Sequence, residues 1–498
     1  MPDSNSLSRK PVCSEYSLSA GLFLPLLIFV CVLFLLFGVD VFSVATTAIL
    51  LIAIFLCFKD INRNIFFVLF LCSFYTFLIS GDVAQVFFNK TYYQYLNMPE
   101  EAIRHSHIAT LISIFFLFVG YFVTKTNNLS SQSSEECSSK MASYRKITLL
   151  IFYVSYAVLL FDTINILLFV LSNGYVAYYS SYKSVLPDIV VSIGDFCPMA
   201  FCGFLATFPR KRKAVLPIIL YLFFAIVCLL MGQRGGIVYI TSFIFSLCLY
   251  RNKYYSYGQK WVKKRLVLFL LILVPFALVA FQLITFIRNG SEIVFNSFGE
   301  TLGDFFINIG SSSKVIKNGY LYRDSISSFK FYSFGDVINY FKYSRLFTWL
   351  TGINPPSIHS ETFALEGHSF DAFISYMYMR TQFLNGEGSG SSFVAELYAD
   401  FGFFGVAAGS LFYGFLLKKI SHFDRNNWIM TTIKLYMLLY IFKTPRGNYS
   451  APFGMVINVS FALFVLVCCS VANWRKGCSK SAEVFQKSMI CHQENVVR

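Results

Sequence analysis

Long apolar runs recur along the whole of this 498-residue chain, and they constrain its fold more than any other feature. A helix needs about 20 apolar residues to cross the hydrocarbon core of a bilayer, or roughly 17–25 when it is tilted. Because a segment in lipid must satisfy its own backbone hydrogen bonds, such runs predict helices. The sequence therefore predicts an all-α polytopic membrane protein with about twelve transmembrane helices. These helices are predicted at residues 20–38, 41–58, 64–80, 107–124, 147–171, 187–208, 214–231, 236–250, 266–287, 393–417, 428–442 and 454–473.

The composition supports this fold class and argues against others. Only 13% of the residues are charged, whereas a soluble domain carries about 25%. The net charge of +15 would suggest nucleic acid in a soluble protein, but here most of it falls in loops on one side, so no nucleic-acid partner is expected. The 13 cysteines are scattered and form no CxxC or Cys/His zinc spacing. We interpret them as small buried hydrophobes, and we expect no metal site.

The distribution of lysine and arginine orients the helices. Cytoplasmic loops carry an excess of these residues. With the N-terminus in the cytoplasm, PRKRK (209–213) and KKIS (418–421) lie inside, whereas GVD (38–40) and GQRGG (232–236) lie outside. The same alternation leaves both termini in the cytoplasm.

This orientation divides the chain into five parts. The Ser-rich segment 126–140 is interpreted as a flexible cytoplasmic linker within the second part. The outer loop has about a hundred residues, and a loop of that length without regular structure is uncommon unless it is functional. Its aromatic stretch 327–350 favours helices lying at the membrane surface. The parts are a cytoplasmic N-terminus (1–19), helices 1–9 (20–287), the large outer loop (288–392), helices 10–12 (393–473) and a cytoplasmic tail (474–498).

The stretch LLMGQRGGIVYI (229–240) places a permanent positive charge, Arg234, between two apolar runs. One interpretation is an arginine that extends to the interface from a tight glycine-rich turn. The other is an anion site, because a helix begins here, its first N–H groups are unpaired, and the guanidinium is suited to phosphate oxygens. In that interpretation, Gly235 and Gly236 allow close backbone approach.

Three further arginines share the outer face. Arg288 ends the ninth helix, Arg380 lies late in the large loop, and Arg446 lies between the last two helices. They are either solvated loop charges or, together with Arg234, a site for a phosphorylated anion tethered to the membrane. We favour the anion site.

The large loop also carries candidate proton-transfer groups, in SIHSETFALEGHSFD (357–371). A neutral imidazole or a carboxylate accepts a proton from an attacking hydroxyl. A hydrated loop surface explains these residues equally well. No Walker A motif is present, so we expect no ATP and no other cofactor. The candidates are His359, Glu361, His368 and Asp371.

The glycine-rich segment 386–405 follows the loop and leads into the tenth helix. Glu396 and Asp400 lie four residues apart at the predicted helix start, where negative side chains suit the helix dipole. Gly405 and Gly409 have the spacing of a small-residue stripe for close helix packing.

Taken together, the chain resembles the Wzy family of bacterial O-antigen polymerases. The resemblance rests on the twelve helices, the large outer loop before the last three, the Gly232-Gln233-Arg234-Gly235 turn, and GEGSGSSFVAELYADFGFFG (386–405). It implies a GT-C-like glycosyltransferase fold in the bacterial inner membrane, with the large loop in the periplasm.

The resemblance also implies a reaction. The growing glycan moves from undecaprenyl diphosphate to the non-reducing end of a new lipid-linked oligosaccharide unit. Arginines at the outer surface neutralise the leaving diphosphate. The expected diphosphate-binding residues are Arg234, Arg288, Arg380 and Arg446, and the expected base or sugar-contact residues are His359, Glu361, His368 and Asp371.

Expected partners are the lipid-linked oligosaccharide, membrane lipids, a chain-length regulator and a flippase. Three alternatives stay open at this point. An O-antigen ligase shares the architecture and donor. A flippase or other transporter would show a repeat between its halves and would not need a folded hundred-residue loop. A dolichol-phosphate-type glycosyltransferase needs an acidic pair in the first outer loop, which here is only Gly38-Val39-Asp40.

Overall fold

The computed structural model describes residues 13–89, 98–125, 135–254, 260–288, 297–327, 329–352 and 354–474. Every regular element in these ranges is a helix, as the apolar runs predicted. The cytoplasmic tail, most of the predicted N-terminal segment and most of the linker 126–140 lie outside the described residues.

Twelve α-helices of the described chain precede the large loop. They are α1 Cys13–Leu36, α2 Val41–Cys57, α3 Ile61–Leu78, α4 Ser80–Phe87, α5 Glu100–Val123, α6 Glu135–Asn173, α7 Tyr175–Ser181, α8 Asp188–Gly194, α9 Phe196–Leu205, α10 Lys211–Leu230, α11 Arg234–Tyr254 and α12 Lys264–Arg288.

Seven shorter α-helices form the described part of the loop, and four follow it within the residues that the structure describes. The loop helices are α13 Phe298–Gly310, α14 Lys314–Leu321, α15 Gly335–Lys342, α16 Arg345–Thr351, α17 Glu361–Glu366, α18 Phe370–Tyr378 and α19 Arg380–Leu384; the last four are α20 Phe393–Ile420, α21 Trp428–Ile441, α22 Ala451–Val456 and α23 Val459–Trp474.

Each predicted transmembrane segment contains helix in the structure, and the protein is a polytopic membrane protein. Seven segments of the described chain are long and apolar enough to cross a bilayer, and three shorter helices are also apolar. The first segment, Val41–Leu78, joins two predicted helices, and α11 belongs to neither set, so the count of twelve stays a prediction. The seven are Val41–Leu78, Glu100–Val123, Lys140–Asn173, Asp188–Leu205, Lys211–Leu230, Lys264–Ile284 and Phe393–Ile420; the shorter three are Phe23–Leu36, Trp428–Ile441 and Val459–Trp474.

Helices α5 and α20 pack closely because glycines face the opposite backbone. A Cβ added at Gly120 would lie 2.1 Å from the carbonyl oxygen of Leu411, and one at Gly414 would lie 2.2 Å from that of Leu117. Small residues let helix backbones approach in this way. The close approach therefore leaves no room for larger residues at these two positions.

Helix α20 reverses direction near its start. Phe401 and Gly402 have non-helical backbone angles, and Gly402 has φ +61°. In a straight helix, Leu397 and Gly409 would lie about 18 Å apart, yet a Cβ added at Gly409 would lie 2.4 Å from the Leu397 side chain. Residues 393–400 therefore fold back onto the following turns. Gly405 and Gly409 accommodate Leu397 of their own helix, and not a separate helix as a packing stripe would imply.

The large loop is folded against the helix ends. Helix α13 packs on α3, α4 and α12, whereas α14 packs on α5 and α20. The contact between α4 and α13 is backbone to backbone, because a Cβ added at Gly310 would lie 2.2 Å from the amide nitrogen of Gly81. The predicted aromatic segment 327–350 contains α15 and all but the last residue of α16. We call the end of the bundle covered by this loop the loop face.

Candidate functional site

A cavity of about 390 Å³ opens at the loop face between α3, α11, α12 and α13. Two of the four predicted diphosphate-binding arginines, Arg234 and Arg446, line it. We call it the arginine cavity. Its described lining contains no aspartate or glutamate. The lining residues are Leu69, Cys72, Ser73, Thr76, Phe77, Tyr175, Gly232, Gln233, Arg234, Gly235, Val238, Tyr239, Ser242, Leu278, Phe281, Phe305, Ile309, Phe442 and Arg446.

The turn between α10 and α11 holds Arg234 at the cavity. Gly232 adopts φ +89°, a left-handed conformation that favours glycine. Its N–H and that of Gln233 bond to the carbonyls of Leu229 and Cys228, which closes the end of α10. Arg234 is the first residue of α11, so the cavity lies at a helix N-terminus. Sequence reasoning assigned the close approach to Gly235 and Gly236, but Gly232 is the position that requires glycine.

Arg234 also connects two helices, because its Nη1 donates a hydrogen bond of 3.0 Å to the Phe281 carbonyl in α12. The side chain is half-buried and lines the cavity.

Arg446 reaches the same cavity from a 3-10 turn, Thr444–Arg446, that follows α21. The buried Thr444 fixes this turn, donating to the Ile441 carbonyl at 2.8 Å and accepting from the Tyr413 hydroxyl at 3.2 Å. The Arg446 guanidinium carbon lies 5.9 Å from the centroid of the Phe77 ring. Residues 234 and 446, which are far apart in sequence, therefore place two guanidinium groups around one space.

The other two predicted arginines are placed differently. Arg380 is exposed, and its Nη2 lies 3.2 Å from an Oε2 oxygen of Glu361, one of the predicted catalytic residues. A hydrogen bond from Tyr376 and the Arg380 charge lower the pKa of Glu361. Neither residue of this pair is among those lining the arginine cavity. Arg288 ends α12, and its side chain lies outside the described part of the structure.

The two predicted loop histidines have structural contacts. The Nδ1 atom of His368 accepts a hydrogen bond from the Phe331 amide at 3.2 Å. Burial, together with Lys342 and Lys330, lowers the pKa of His368. A neutral imidazole has one acceptor nitrogen, and here that atom is already engaged. His359 is half-buried with its ring 5.2 Å from that of Phe383, and among the described residues its Nδ1 has no hydrogen-bond partner.

Asp371 lies close to a carboxylate that sequence reasoning did not single out, Asp336. Asp371 accepts hydrogen bonds from the Ser369 hydroxyl and the Ala372 amide. Asp336 lies in the first turn of α15 and accepts a 2.5 Å hydrogen bond from Asn448, two residues beyond Arg446. Burial, and then the charge of Asp371, raise the pKa of Asp336, although the Asn448 bond and Lys443 oppose this.

Glu396 and Asp400 both lie in the short helical stretch 393–400. Each accepts hydrogen bonds from neighbouring segments of the chain. The fully buried Glu396 accepts from the Ser391 hydroxyl at 2.6 Å and from the Tyr449 amide at 2.8 Å. Asp400 accepts from the amides of Tyr332 and Ser333, both at 2.8 Å. These specific bonds, more than a helix-dipole effect, account for the two carboxylates.

The family model for O-antigen polysaccharide polymerase Wzy matches residues 19–476, which is most of the chain. The chain belongs to the Wzy family. No curated protein and no solved structure gives a match. The GT-C-like architecture implied by the resemblance therefore stays a prediction.

Membership of the Wzy family gives the chemistry in outline. The chain is a membrane enzyme that polymerises O-antigen repeat units, and its substrate is a lipid-linked repeat unit. The match favours polymerase over the ligase, flippase and dolichol-phosphate-type alternatives that the sequence alone left open.

This Wzy-family chain also has a row of ionisable side chains at the loop face that sequence reasoning missed. His107 in α5 lies 3.1 Å from Asp40 and 3.0 Å from Asp82, one carboxylate for each ring nitrogen. The fully buried Lys317 of α14 lies 2.8 Å from Asp82. Burial alone would raise the pKa of Asp82, but Lys317 and His107 outweigh it and lower that pKa to about 2. The row therefore joins α14 of the large loop to α4 and, through His107, to α5 and to the residue that precedes α2.

Proposed function

We propose that this Wzy-family enzyme extends the glycan at its loop face, on the periplasmic side of the inner membrane. The hydroxyl at the non-reducing end of a newly delivered unit attacks the anomeric carbon of the growing chain. The bond from that carbon to undecaprenyl diphosphate breaks, the lipid diphosphate leaves, and a protein carboxylate accepts the hydroxyl proton.

The arginine cavity is the single observation that carries this proposal. Its two guanidinium groups and the N-terminus of α11 supply positive charge where the diphosphate would lie. Its other walls are largely apolar, including Leu69, Leu278 and Phe305. Charge at the loop face and apolar walls beside it match a diphosphate joined to an isoprenoid chain.

The developing negative charge of the leaving group explains why two arginines are useful. Fixed donors aimed at a charge that forms in the transition state lower the barrier more than they strengthen substrate binding. Arg234 is held by its bond to the Phe281 carbonyl, and the Thr444 turn fixes the backbone at Arg446, so the Arg234 side chain and the Arg446 backbone are positioned before the reaction. Arg288 and Arg380 stay candidate contacts.

Among the carboxylates, we propose Asp336 as the proton acceptor, with Asp371 as its neighbour. Asp336 is bonded to Asn448, so it is tied to the turn that carries Arg446. Its pKa is raised toward neutral pH, which makes the ionised carboxylate a stronger base for the proton of the hydroxyl. The predicted candidates His359, Glu361 and His368 lie on the same loop and are retained as sugar-contact candidates.

A strain lacking the gene tests the proposed function directly. Loss of polymerisation leaves lipopolysaccharide with a single repeat unit on the core, loss of ligation leaves bare core, and loss of transport traps the unit inside the cell. We expect the single-unit band, and a bare core would contradict the polymerase assignment. Wild type should restore the ladder, whereas Arg234→Lys should not do so fully, because lysine keeps the charge without the planar fork.

A further inference from the structure

A second cavity, of about 780 Å³, lies at the opposite end of the bundle from the loop face. It is formed where α3, α10 and α12 begin and α11 ends. Half of its lining residues are lysines, and we call it the lysine pocket. The lining residues are Asn62, Lys211, Leu249, Asn252, Lys253, Lys260, Val262, Lys263, Lys264 and Val267.

The positive-inside rule explains why lysines are on this side, but not why they converge on a concavity. Like charges repel, and the repulsion is reduced when the side chains spread into water. Two of the five have defined partners, because Lys253 pairs with Asp60 at 2.8 Å and Lys211 donates to the Trp261 carbonyl at 3.2 Å. No carboxylate is among the described lining residues. The arrangement is therefore suited to an anion.

The start of α12 adds a second source of positive potential. The amides of Leu266 and Val267 bond to the carbonyl of Lys263, the residue just before the helix. The first N–H groups of a helix lack intrahelical acceptors and favour phosphate oxygens. Lys263, Lys264 and Val267, all from this first turn, line the pocket.

The apolar surface beside the pocket distinguishes a lipid from a free anion. Leu249, Val262 and Val267 lie among the lysines. From there α12 continues with a largely uncovered apolar surface, including Leu268 and Leu271, which are more than half exposed. A lipid with its phosphate among the lysines would place its acyl chains along this helix.

We propose that the lysine pocket binds the phosphate headgroup of an anionic phospholipid, with the acyl chains packed along α12. Basic pockets between transmembrane helices on the cytoplasmic side recognise such headgroups. The site is at the other end of α12 from the arginine cavity, and it does not depend on the proposed reaction. Its ligand is a membrane component and not a substrate.

The test is a lipid titration of the purified full-length protein, followed by native mass spectrometry. The probes are phosphatidylglycerol and phosphatidylcholine with identical acyl chains. The variant is Lys260→Gln/Lys263→Gln/Lys264→Gln, and the matched control is Lys125→Gln/Lys140→Gln/Lys146→Gln, which removes three exposed lysines outside the pocket. We expect phosphatidylglycerol to bind the pocket variant at least about tenfold more weakly than wild type, and the control variant less than about threefold more weakly.

Equal loss in both triple variants, or equal binding of the two lipids by wild type, would overturn the proposal. A competition with millimolar inorganic phosphate completes the test. Displacement of phosphatidylglycerol by phosphate would show a free-anion site and contradict the lipid assignment. If the triple variant does not purify as a folded protein, Lys263→Glu replaces it and should show the same selective loss.

Discussion

The arginine cavity and the exposed Arg380–Glu361 pair are two regions of the loop face that present arginine in different ways. Arg234 and Arg446 line a concave space whose described lining holds no carboxylate. Arg380 is exposed on the large loop and lies 3.2 Å from a carboxylate of its own loop. From the sequence alone, the arginines of both regions were predicted to bind the diphosphate. Arg446 is also exposed, so the two regions differ in the concave surface and in the nearby carboxylate, and these are the features on which we base the proposed ligand role of the cavity arginines.

Removing a cavity arginine should have the largest effect. For Arg446→Ala we expect polymerisation to fall by about 10²–10³-fold, the usual loss for one donor to a developing anion. Arg234→Ala should reduce polymerisation by a similar factor, and it also removes the hydrogen bond to the Phe281 carbonyl. Chain-length ladders from a complemented null strain and the rate with purified lipid-linked units measure this loss. Normal activity of Arg446→Ala, at normal protein level, would remove the cavity from the mechanism.

Asp336→Asn should come next, with a loss of about 10²-fold, because an amide keeps the shape but cannot accept the proton. The wild-type rate should fall as the pH drops through the pKa of Asp336, since the base must be ionised. Burial raises that pKa, so the acidic limb should lie above the range of an ordinary carboxyl group. A pH–rate profile of purified enzyme shows whether this limb is present and whether the residual rate of Asp336→Asn lacks it.

Substitutions at two residues near Asp336 should move the acidic limb of the pH–rate profile in opposite directions. Asp371→Asn removes a negative charge that raises the pKa of Asp336, so the limb should shift to lower pH. Lys443→Gln removes a positive charge that lowers it, so the limb should shift to higher pH. Shifts in the same direction would show that a group other than Asp336 titrates.

Gly232→Ala tests the turn that positions Arg234, and the substitution changes no charge. A non-glycine residue at φ +89° costs about 1–2 kcal/mol, which corresponds to roughly tenfold if the turn must form for activity. Gly236→Ala is the matched control, because an added Cβ there would lie 4.0 Å from its nearest neighbour, in ordinary contact. Equal effects of the two alanines on ladder length would argue against a special role for the turn.

The smallest effect should come from Arg380→Ala. An exposed ion pair is worth roughly 0–1 kcal/mol, so polymerisation should change less than about fivefold. The same assay as for Arg446→Ala gives the comparison. A loss as large as that of Arg446→Ala would place the large loop at the diphosphate and erase the difference between the two regions.

Local patterns were enough to predict much of the fold. Apolar runs of the right length identified the helices, and the GQRGG turn marked Arg234 because a charge between two such runs is costly in lipid. The family followed from the same motifs and is confirmed by the match over residues 19–476. These features depend on neighbours in sequence, which is why they were accessible.

Long-range contacts explain what sequence reasoning missed. Asp336 and Asn448 are 112 residues apart, and nothing in either local stretch indicates that they bond. His107, Asp82 and Lys317 likewise come from three separate elements. The chain reversal at Gly402 was not predicted, because the nearby Gly405 and Gly409 also have the spacing of a helix-packing stripe. Glu361, the partner of Arg380, lies only 19 residues away in sequence. The spacing alone does not predict that the loop folds so as to bring the two side chains together.

The affinity of purified protein for undecaprenyl diphosphate tests the central claim most directly. Wild type, Arg234→Ala, Arg446→Ala and Arg380→Ala should be compared in the same nanodiscs, with undecaprenyl monophosphate as the reference ligand. We predict that each cavity variant weakens diphosphate binding by at least about tenfold, as expected for loss of a charge-assisted bond, while Arg380→Ala stays close to wild type. Equal affinities across all four proteins would contradict the assignment of the arginine cavity to the diphosphate.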